Sequence, residues 1–441
     1  MTQNTDQASN PDENASSNSD TQQYVDGGKL AFTAIFFTVL IDIIGFGIII
    51  PVMPAMIADV TGLSHAEAAP YGGILLTVFA LIQFVSSPII GGLSDRFGRR
   101  PIILLSLLGY AIDFLIMGLA KIYLVLFIGR VFSGAFAATY ATANAYIADS
   151  TPPDKRPMRF GMLGAAFGIG FIIGPGIGGI IGDQFGPRAP FFAASALAFI
   201  NFVYSFFVLP ETLAPEKRRK FDIKRANPVG NLLQLRKYPV MLPILIASLL
   251  MQLAHFALQS TWSWYGIEKF SWTPAQIGYS LMAVGISAAI VEGGLIRLIL
   301  PRIGERRAVV MGVSITAVTY LAYAFVSMEW MIYFIIAFGA LAGILRPALQ
   351  GIMTRTIPDD AQGELQGAIA SMMSLAMIFG PLIMTSVFSA FTVESAPVYF
   401  PGAAFLLGFL LVLISAIPMA MAFKRIAKPR EETAPGPPAS G

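Results

Sequence analysis

Asp42, Asp113 and Arg130 each lie inside a long apolar run, as do His255, Glu292 and Arg346 further along the chain. A charge at the centre of a bilayer costs at least about 2.5–3.5 kcal/mol on insertion scales, so such groups belong in a bundle interior or a wet cavity. Two readings are open for Asp42, Asp113 and Arg130. In the first they form a proton and substrate pathway. Loss of water favours a protonated carboxyl group, a nearby guanidinium favours the carboxylate, and opening to alternate sides changes both effects. In the second they are a fixed structural ion pair. His255 is either a cavity group or a hydrogen-bonding partner for another helix, and Glu292 either a cavity acid or a partner of Arg297. Gln83, Asn144, Gln252, Gln259 and Gln350 are deep and uncharged, open to an interhelical bond or to contact with a bound compound. Gln83, Asn144, His255 and Gln259 are the candidates for a substrate cavity.

These residues need elements that hold them in lipid. The chain has 441 residues, of which 55% are hydrophobic and 12% charged; a soluble domain carries roughly 25% charged residues. Apolar runs near 29–56, 70–92, 102–120, 122–148, 161–182, 190–209, 241–266, 274–298, 308–327, 330–353, 367–390 and 398–423 are each long enough to cross a hydrocarbon core about 30 Å thick. Backbone amides in lipid must bond within their own segment, so the runs predict helices. An all-α membrane protein follows, with a six-helix bundle over 29–209, a basic central loop over 210–240 and a second six-helix bundle over 241–423. Residues 1–28 and 424–441 read as polar tails, the first of them disordered.

Lys and Arg set the orientation. With the N-terminus cytoplasmic, the inside segments hold clusters such as Arg96, Arg99 and Arg100, Lys217 to Lys220, and Arg302, Arg306 and Arg307. The outside loops then hold only Lys121, Arg188 and Lys269, the asymmetry expected of a membrane protein with both termini inside. All four Trp (Trp262, Trp264, Trp272 and Trp330) are expected at the outer interface, where indole rings sit.

The composition excludes several kinds of chemistry. Without Cys there is no disulfide, thiol catalysis or Cys-ligated metal, and two His leave little for zinc or haem. No metal or cofactor is expected. The chain lacks a GxxxxGK[ST] loop to hold a nucleotide and an H-E-x-x-H pair, and offers no nucleophile with a base. A net charge of +3 does not suggest nucleic acid.

Two glycine-bearing stretches organise the bundles. Between the second and third spans the chain reads Gly91-Gly92-Leu93-Ser94-Asp95-Arg96-Phe97-Gly98-Arg99-Arg100-Pro101. In the fifth span Gly170, Gly174, Gly178 and Gly182 recur every fourth residue, a smooth face on which another helix can approach, beside Pro175 and Gly179. The halves also repeat at one constant offset: Arg96, Gly98 and Arg100 recur as Arg302, Gly304 and Arg306, and Gly161, Gly174 and Pro175 as Gly367, Gly380 and Pro381. An internal duplication of six spans is a transporter feature.

The basic loop resembles the signature loop of the major facilitator superfamily, and the fifth-span stretch resembles the antiporter motif of its exporters. Gly129-Arg130-Val131-Phe132-Ser133-Gly134 is similar to the family's conserved-arginine motif. The resemblance is strongest to the tetracycline/proton antiporters and covers roughly 30–423. Supporting stretches include Asp42-Ile43-Ile44-Gly45-Phe46-Gly47, Leu209-Pro210-Glu211-Thr212 and Gly363-Glu364-Leu365-Gln366-Gly367.

The resemblance implies a major facilitator fold of 12 transmembrane helices in a bacterial inner membrane. It implies proton coupling through Asp42, Asp113 and Arg130. It also implies a cytoplasmic conformational latch from Gly91, Asp95, Arg96, Gly98, Arg99, Arg100 and Asp149, and an outer seal from the fifth-span glycines around Pro175. The chain departs from those antiporters in its second half. Their ninth-span Asp corresponds to Thr316 and their eighth-span His to Ser287. The expected activity is proton-driven export of a small amphiphilic compound by a monomer, with a nutrient importer or a membrane sensor as alternatives.

Overall fold

The computed structural model describes residues 11–137, 139–218, 241–358 and 361–427. Side chains are described from residue 30 onward, apart from residues 139, 140, 217 and 427. The remainder of the expected tails and most of the central loop lie outside the described residues.

Every described element is helical. The first half contains α1 (Pro11–Ile49), α2 (Met53–Thr61), α3 (His65–Phe97), α4 (Arg99–Gly118), α5 (Tyr123–Phe136), α6 (Thr139–Ser150), α7 (Arg156–Phe185) and α8 (Ala189–Val208). The second contains α9 (Met241–Phe270), α10 (Pro274–Ile290), α11 (Ile296–Ile303), α12 (Glu305–Phe325), α13 (Glu329–Ala340), α14 (Leu345–Thr356), α15 (Gln362–Ala390) and α16 (Ala403–Ala427). Taken singly or as consecutive pairs, these make 12 segments, among the described residues, long and apolar enough to cross a membrane.

Four spans are interrupted, and the residues at three of the breaks explain them. A 3-10 turn at Ile50–Val52 separates α1 from α2, at Pro51, which has no amide proton to give. A π stretch at Val291–Leu295 joins α10 to α11 across Gly293 and Gly294. A 3-10 stretch at Leu341–Ile344 joins α13 to α14 just before Pro347. The fourth break lies at Ala137, between α5 and α6.

Two boundaries differ from expectation. Helix α1 reaches back to Pro11, into the segment expected to be disordered. The last span starts at Ala403 rather than near 398, because the chain is still turning at Pro401 and Gly402.

The halves begin and turn alike. Both α3 and α10 open with a capping box, Ser64 with Glu67 and Thr273 with Gln276. The turns into α4 and α12 run through Gly98 (φ 108°) and Gly304 (φ 76°), a backbone region that costs glycine little. These two loops mark what is called here the basic end of the bundle. At the opposite end two of the three cations, Arg188 and Lys269, cap helix carbonyls. Arg188 donates to the carbonyls of Gly118 and Ala120 and pairs with Asp59 (2.7 Å), and Lys269 donates to the carbonyl of Ala324 (3.2 Å).

The close contacts between the halves lie toward this opposite end. Thr77 of α3 donates to the Ile378 carbonyl of α15 (2.8 Å), and a Cβ on Gly73 would strike Thr385 and the Pro381 carbonyl. Ser263 of α9 donates to the Ile50 carbonyl, and Trp264 packs over Gly72. Helix α7 lies along α10, with Gly179 against Pro274, Gly278 against the Pro175 carbonyl and Gly285 against Ile172. Toward the basic end Gly91, Gly161, Gly164, Gly168, Gly293 and Gly294 meet no neighbour. The molecule is therefore closed at the opposite end and open at the basic end.

One expectation fails here. Only Trp330 is exposed (68%), while Trp262, Trp264 and Trp272 are buried. Trp262 donates to Ser280 (2.9 Å) and meets Tyr323, Phe405 and Trp272 edge-on. Interhelical ring packing and a hydrogen bond satisfy this indole inside the protein; Trp262 and Trp272 bind the second bundle together, and Trp264 joins it to Gly72 of the first, rather than anchoring it in lipid headgroups.

Candidate functional site

Two helical stripes leave the closed end and separate. On α1 and the first residue of the 3-10 turn that follows it the stripe is Asp42, Phe46 and Ile50; on α9 it is Ser263, Gln259 and His255. Residues four apart share a helix face, and Ile50 touches Ser263 across the halves. Two turns further toward the basic end, roughly 12 Å at 1.5 Å per residue, the walls carry Asp42 on one side and His255 on the other. Gln259 and His255 are exposed and Asp42 is half-buried, two turns from the Ile50–Ser263 contact that joins the halves. Accessible side chains on two stripes that diverge from a shared contact line the space between the halves.

Behind Asp42, inside the first bundle, Asp113 of α4 is fully buried and neither carboxylate oxygen has a hydrogen-bond partner. Gly129 leaves room for it: a Cβ there would lie 2.9 Å from Asp113 Oδ1. Arg130 is buried beside it, with Nη2 on the Met117 sulfur (3.1 Å) and Nε unpartnered. The two charges act on one another without forming an ion pair, so the fixed-bridge reading does not describe this form. Ser133, next to Asp113, gives its proton to the Gly129 carbonyl (2.9 Å). Tyr110, which sequence reasoning missed, lies within electrostatic reach of Asp42, Asp113 and Arg130. Its spacing from Asp113, one turn earlier on α4, was the available signal. A carboxylate without a fixed partner can take up and release a proton, and a guanidinium close by but unpaired stabilises whichever anion is present.

The other cavity candidates divide. Gln83 donates to the Ala137 carbonyl (3.1 Å) and so bonds the break between α5 and α6. Asn144 is half-buried and engaged with other groups. Glu292 makes no ion pair with Arg297; it sits in the π stretch, with its Oε1 3.4 Å from where a Cβ on Gly343 would be.

At the basic end Arg99 joins Asp95 (2.6 Å) and Asp149 (2.8 Å) and also reaches Ser94. Arg96 stands outside this cluster, over the Phe97 ring, and Arg100 donates to the Phe206 carbonyl (2.6 Å). All the partners belong to the first bundle. Glu211 completes the loop. Its carboxylate accepts from the amides of Arg99 (2.9 Å) and Arg100 (3.2 Å) at the start of α4, and from those of Thr212 and Leu213. A carboxylate at a helix N-terminus satisfies free amides and the positive end of the dipole. The second half repeats the bridge with its signs exchanged: Glu305 pairs with Arg355 (3.2 Å), at the positions equivalent to Arg99 and Asp149.

The fifth-span glycines serve two neighbours. Gly170, Gly174 and Gly178 admit α1, where an added Cβ would strike Ile43, the Ile44 carbonyl and the Ile48 carbonyl respectively. Gly176 and Gly179 face α10 through Met282 and Pro274.

Comparison with known proteins matches the sequence pattern described as Major Facilitator Superfamily over residues 35–381 and 299–439. The chain belongs to the major facilitator superfamily. It is 37% identical to the class C tetracycline resistance protein of Escherichia coli over 82% of this chain and 90% of that one. It is 32% identical to multidrug resistance protein 2 of Bacillus subtilis (strain 168), over 80% and 88% of the two chains. Among solved structures, the nucleoside transporter NupG superposes with a TM-score of 0.74 at 12% identity, over 89% of this chain and 99% of that one. A bacterial homologue of human Spinster, solved inward-facing and unoccupied, gives 0.70 at 15% identity, over 90% and 96%. This superfamily member is a multi-pass membrane transporter closely related to tetracycline efflux proteins, and not an enzyme. Where those relatives are expected to carry a ninth-span acid, Thr316 gives its hydroxyl proton to its own helix at the Gly312 carbonyl (2.8 Å).

Proposed function

We propose that the chain is a proton-coupled antiporter that exports a small amphiphilic compound, tetracycline-like or another xenobiotic, across a bacterial inner membrane. The observation that carries this reading is the unpartnered Asp113 carboxylate beside an unpaired Arg130, one layer behind Asp42 on the cavity wall. The basic end is cytoplasmic on the Lys and Arg asymmetry, so the form described here opens inward and collects its compound from the cytoplasm. Closure around the Arg99 loop and opening along α7 and α10 carries the compound outward, and proton entry at Asp42 and Asp113 from the other side drives the return, which reverses both movements. Membrane voltage supplies roughly 2.3 kcal/mol per charge per 100 mV, and a pH difference about 1.4 kcal/mol per unit. The relatives named for tetracycline resistance support a drug-like cargo; Thr316 and Ser287 argue for a different fit in the second half.

The test uses everted inner-membrane vesicles energised to be acidic inside. Tetracycline and a panel of lipophilic drugs are added, and proton release is read with a pH dye for wild type and Asp42→Asn. Release that the variant loses supports antiport. Release that survives in the variant, or its absence with every compound in correctly inserted wild type, overturns it.

A further inference from the structure

The second bundle contributes a wall of opposite character. His255 and Gln259 face the internal space from α9, and Arg346 at the start of α14 is exposed and acts electrostatically on His255. Among the described residues neither His255 nor Arg346 has a hydrogen-bond or ion-pair partner, and no carboxylate lies within 4.0 Å of Arg346. Glu292 approaches the 3-10 stretch one turn before Arg346, at Gly343, and forms no ion pair with the guanidinium. Arg346 is the second residue after the 3-10 stretch Leu341–Ile344, and the π stretch Val291–Leu295 packs against that 3-10 stretch. Broken helices facing a cavity near the midplane are where transporters hold charged groups of their cargo. A guanidinium is costly in such a place without a counter-charge, and its planar donor fork matches an oxyanion.

We propose that Arg346 and His255 form a site for an anionic group of the transported compound, a carboxylate or similar planar oxyanion. The cargo then lies across the cavity with its anionic end on the second bundle and its apolar body toward Phe46 of the first. The inference rests on the reading that the space between the bundles is where cargo binds.

The test compares three probes that share a ring system and differ in charge: 2-naphthoate, 2-naphthalenemethanol and 2-naphthylmethylammonium. Binding to the purified full-length protein is measured by calorimetry. Wild type is expected to bind 2-naphthoate about tenfold or more tighter than the alcohol, the worth of one charge-assisted hydrogen bond. Arg346→Gln removes that preference and leaves the alcohol unchanged. Arg346→Lys keeps part of it, and His255→Asn weakens 2-naphthoate alone. A wild type that binds 2-naphthoate no tighter than the alcohol overturns the proposal. So does a folded Arg346→Gln that retains the preference, or one that weakens all three probes equally. If Arg346→Gln does not fold, the same comparison for Arg346→Lys and His255→Asn decides. Drug-triggered proton release without an anion preference sinks the anion site alone. An anion preference that the Arg346 and His255 variants abolish, without proton exchange for any compound, sinks the exporter reading alone.

Discussion

Replacing Thr77 by Val loosens the closed end by a calculable amount. The Thr77 hydroxyl donates to the Ile378 carbonyl across the two halves at 2.8 Å, and valine has nearly the same shape without the proton. The carbonyl it leaves lies within α15, where the helix ladder still offers it a partner, so no group is orphaned. The loss is then the bond itself, about 0.6 kcal/mol for an interhelical bond in a membrane and up to about 1.5 kcal/mol. If this end parts during transport, the open form gains by about threefold to tenfold. The absence of native cysteine makes the readout direct. A Cys at Phe46, half-way between Ile50 and Asp42 on the α1 stripe, is labelled with a membrane-impermeant maleimide applied from the outside. Labelling should accelerate threefold to tenfold in Thr77→Val. An unchanged rate would mean that these contacts do not part, and the alternating account of the two ends would be wrong.

Four further outcomes follow from the packing. Gly178→Val should abolish assembly, because its Cβ meets the Ile48 carbonyl, whereas Gly164→Ala points into open space and should leave membrane yield unchanged; detergent-extracted yield distinguishes them. Asp113→Asn should remove drug-triggered proton release in vesicles while leaving membrane yield intact, since an amide of the same shape can neither take up nor release the proton. Glu211→Ala removes the cap from α4 and should destabilise by about 1 kcal/mol, with Glu211→Gln losing only part of that; unfolding midpoints of the two variants test the order. Glu305→Arg with Arg355→Asp copies the first-half bridge into the second. The double variant should recover what each single change loses, about 0.2–1 kcal/mol for so exposed a pair, measured as a double-mutant cycle.

The sequence alone determined that this chain lives in lipid, because no folding of a chain so apolar and so poorly charged can cover itself with polar surface. Run length set the number of spans, and the constant offset between the halves set their duplication. The same offset already contained the exchanged bridge, since Glu305 and Arg355 stand where Arg99 and Asp149 stand in the first half, but pairing is a distance and sequence carries none. Asp42, Asp113 and Arg130 announced themselves as charges in apolar runs. That Asp113 and Arg130 do not pair, and that Tyr110 joins their surroundings, came from the way α4 and α5 pack. Three of four tryptophans were misplaced for a related reason. Hydropathy ranks depth along the membrane normal and is silent about which side of a helix meets a neighbour. Only the tertiary structure decided which end is closed, because closure depends on which glycines face which carbonyls across the bundles. It also put Asp42 and His255 on facing walls. Their equal spacing from Ile50 and Ser263 became meaningful once those two residues were seen to touch.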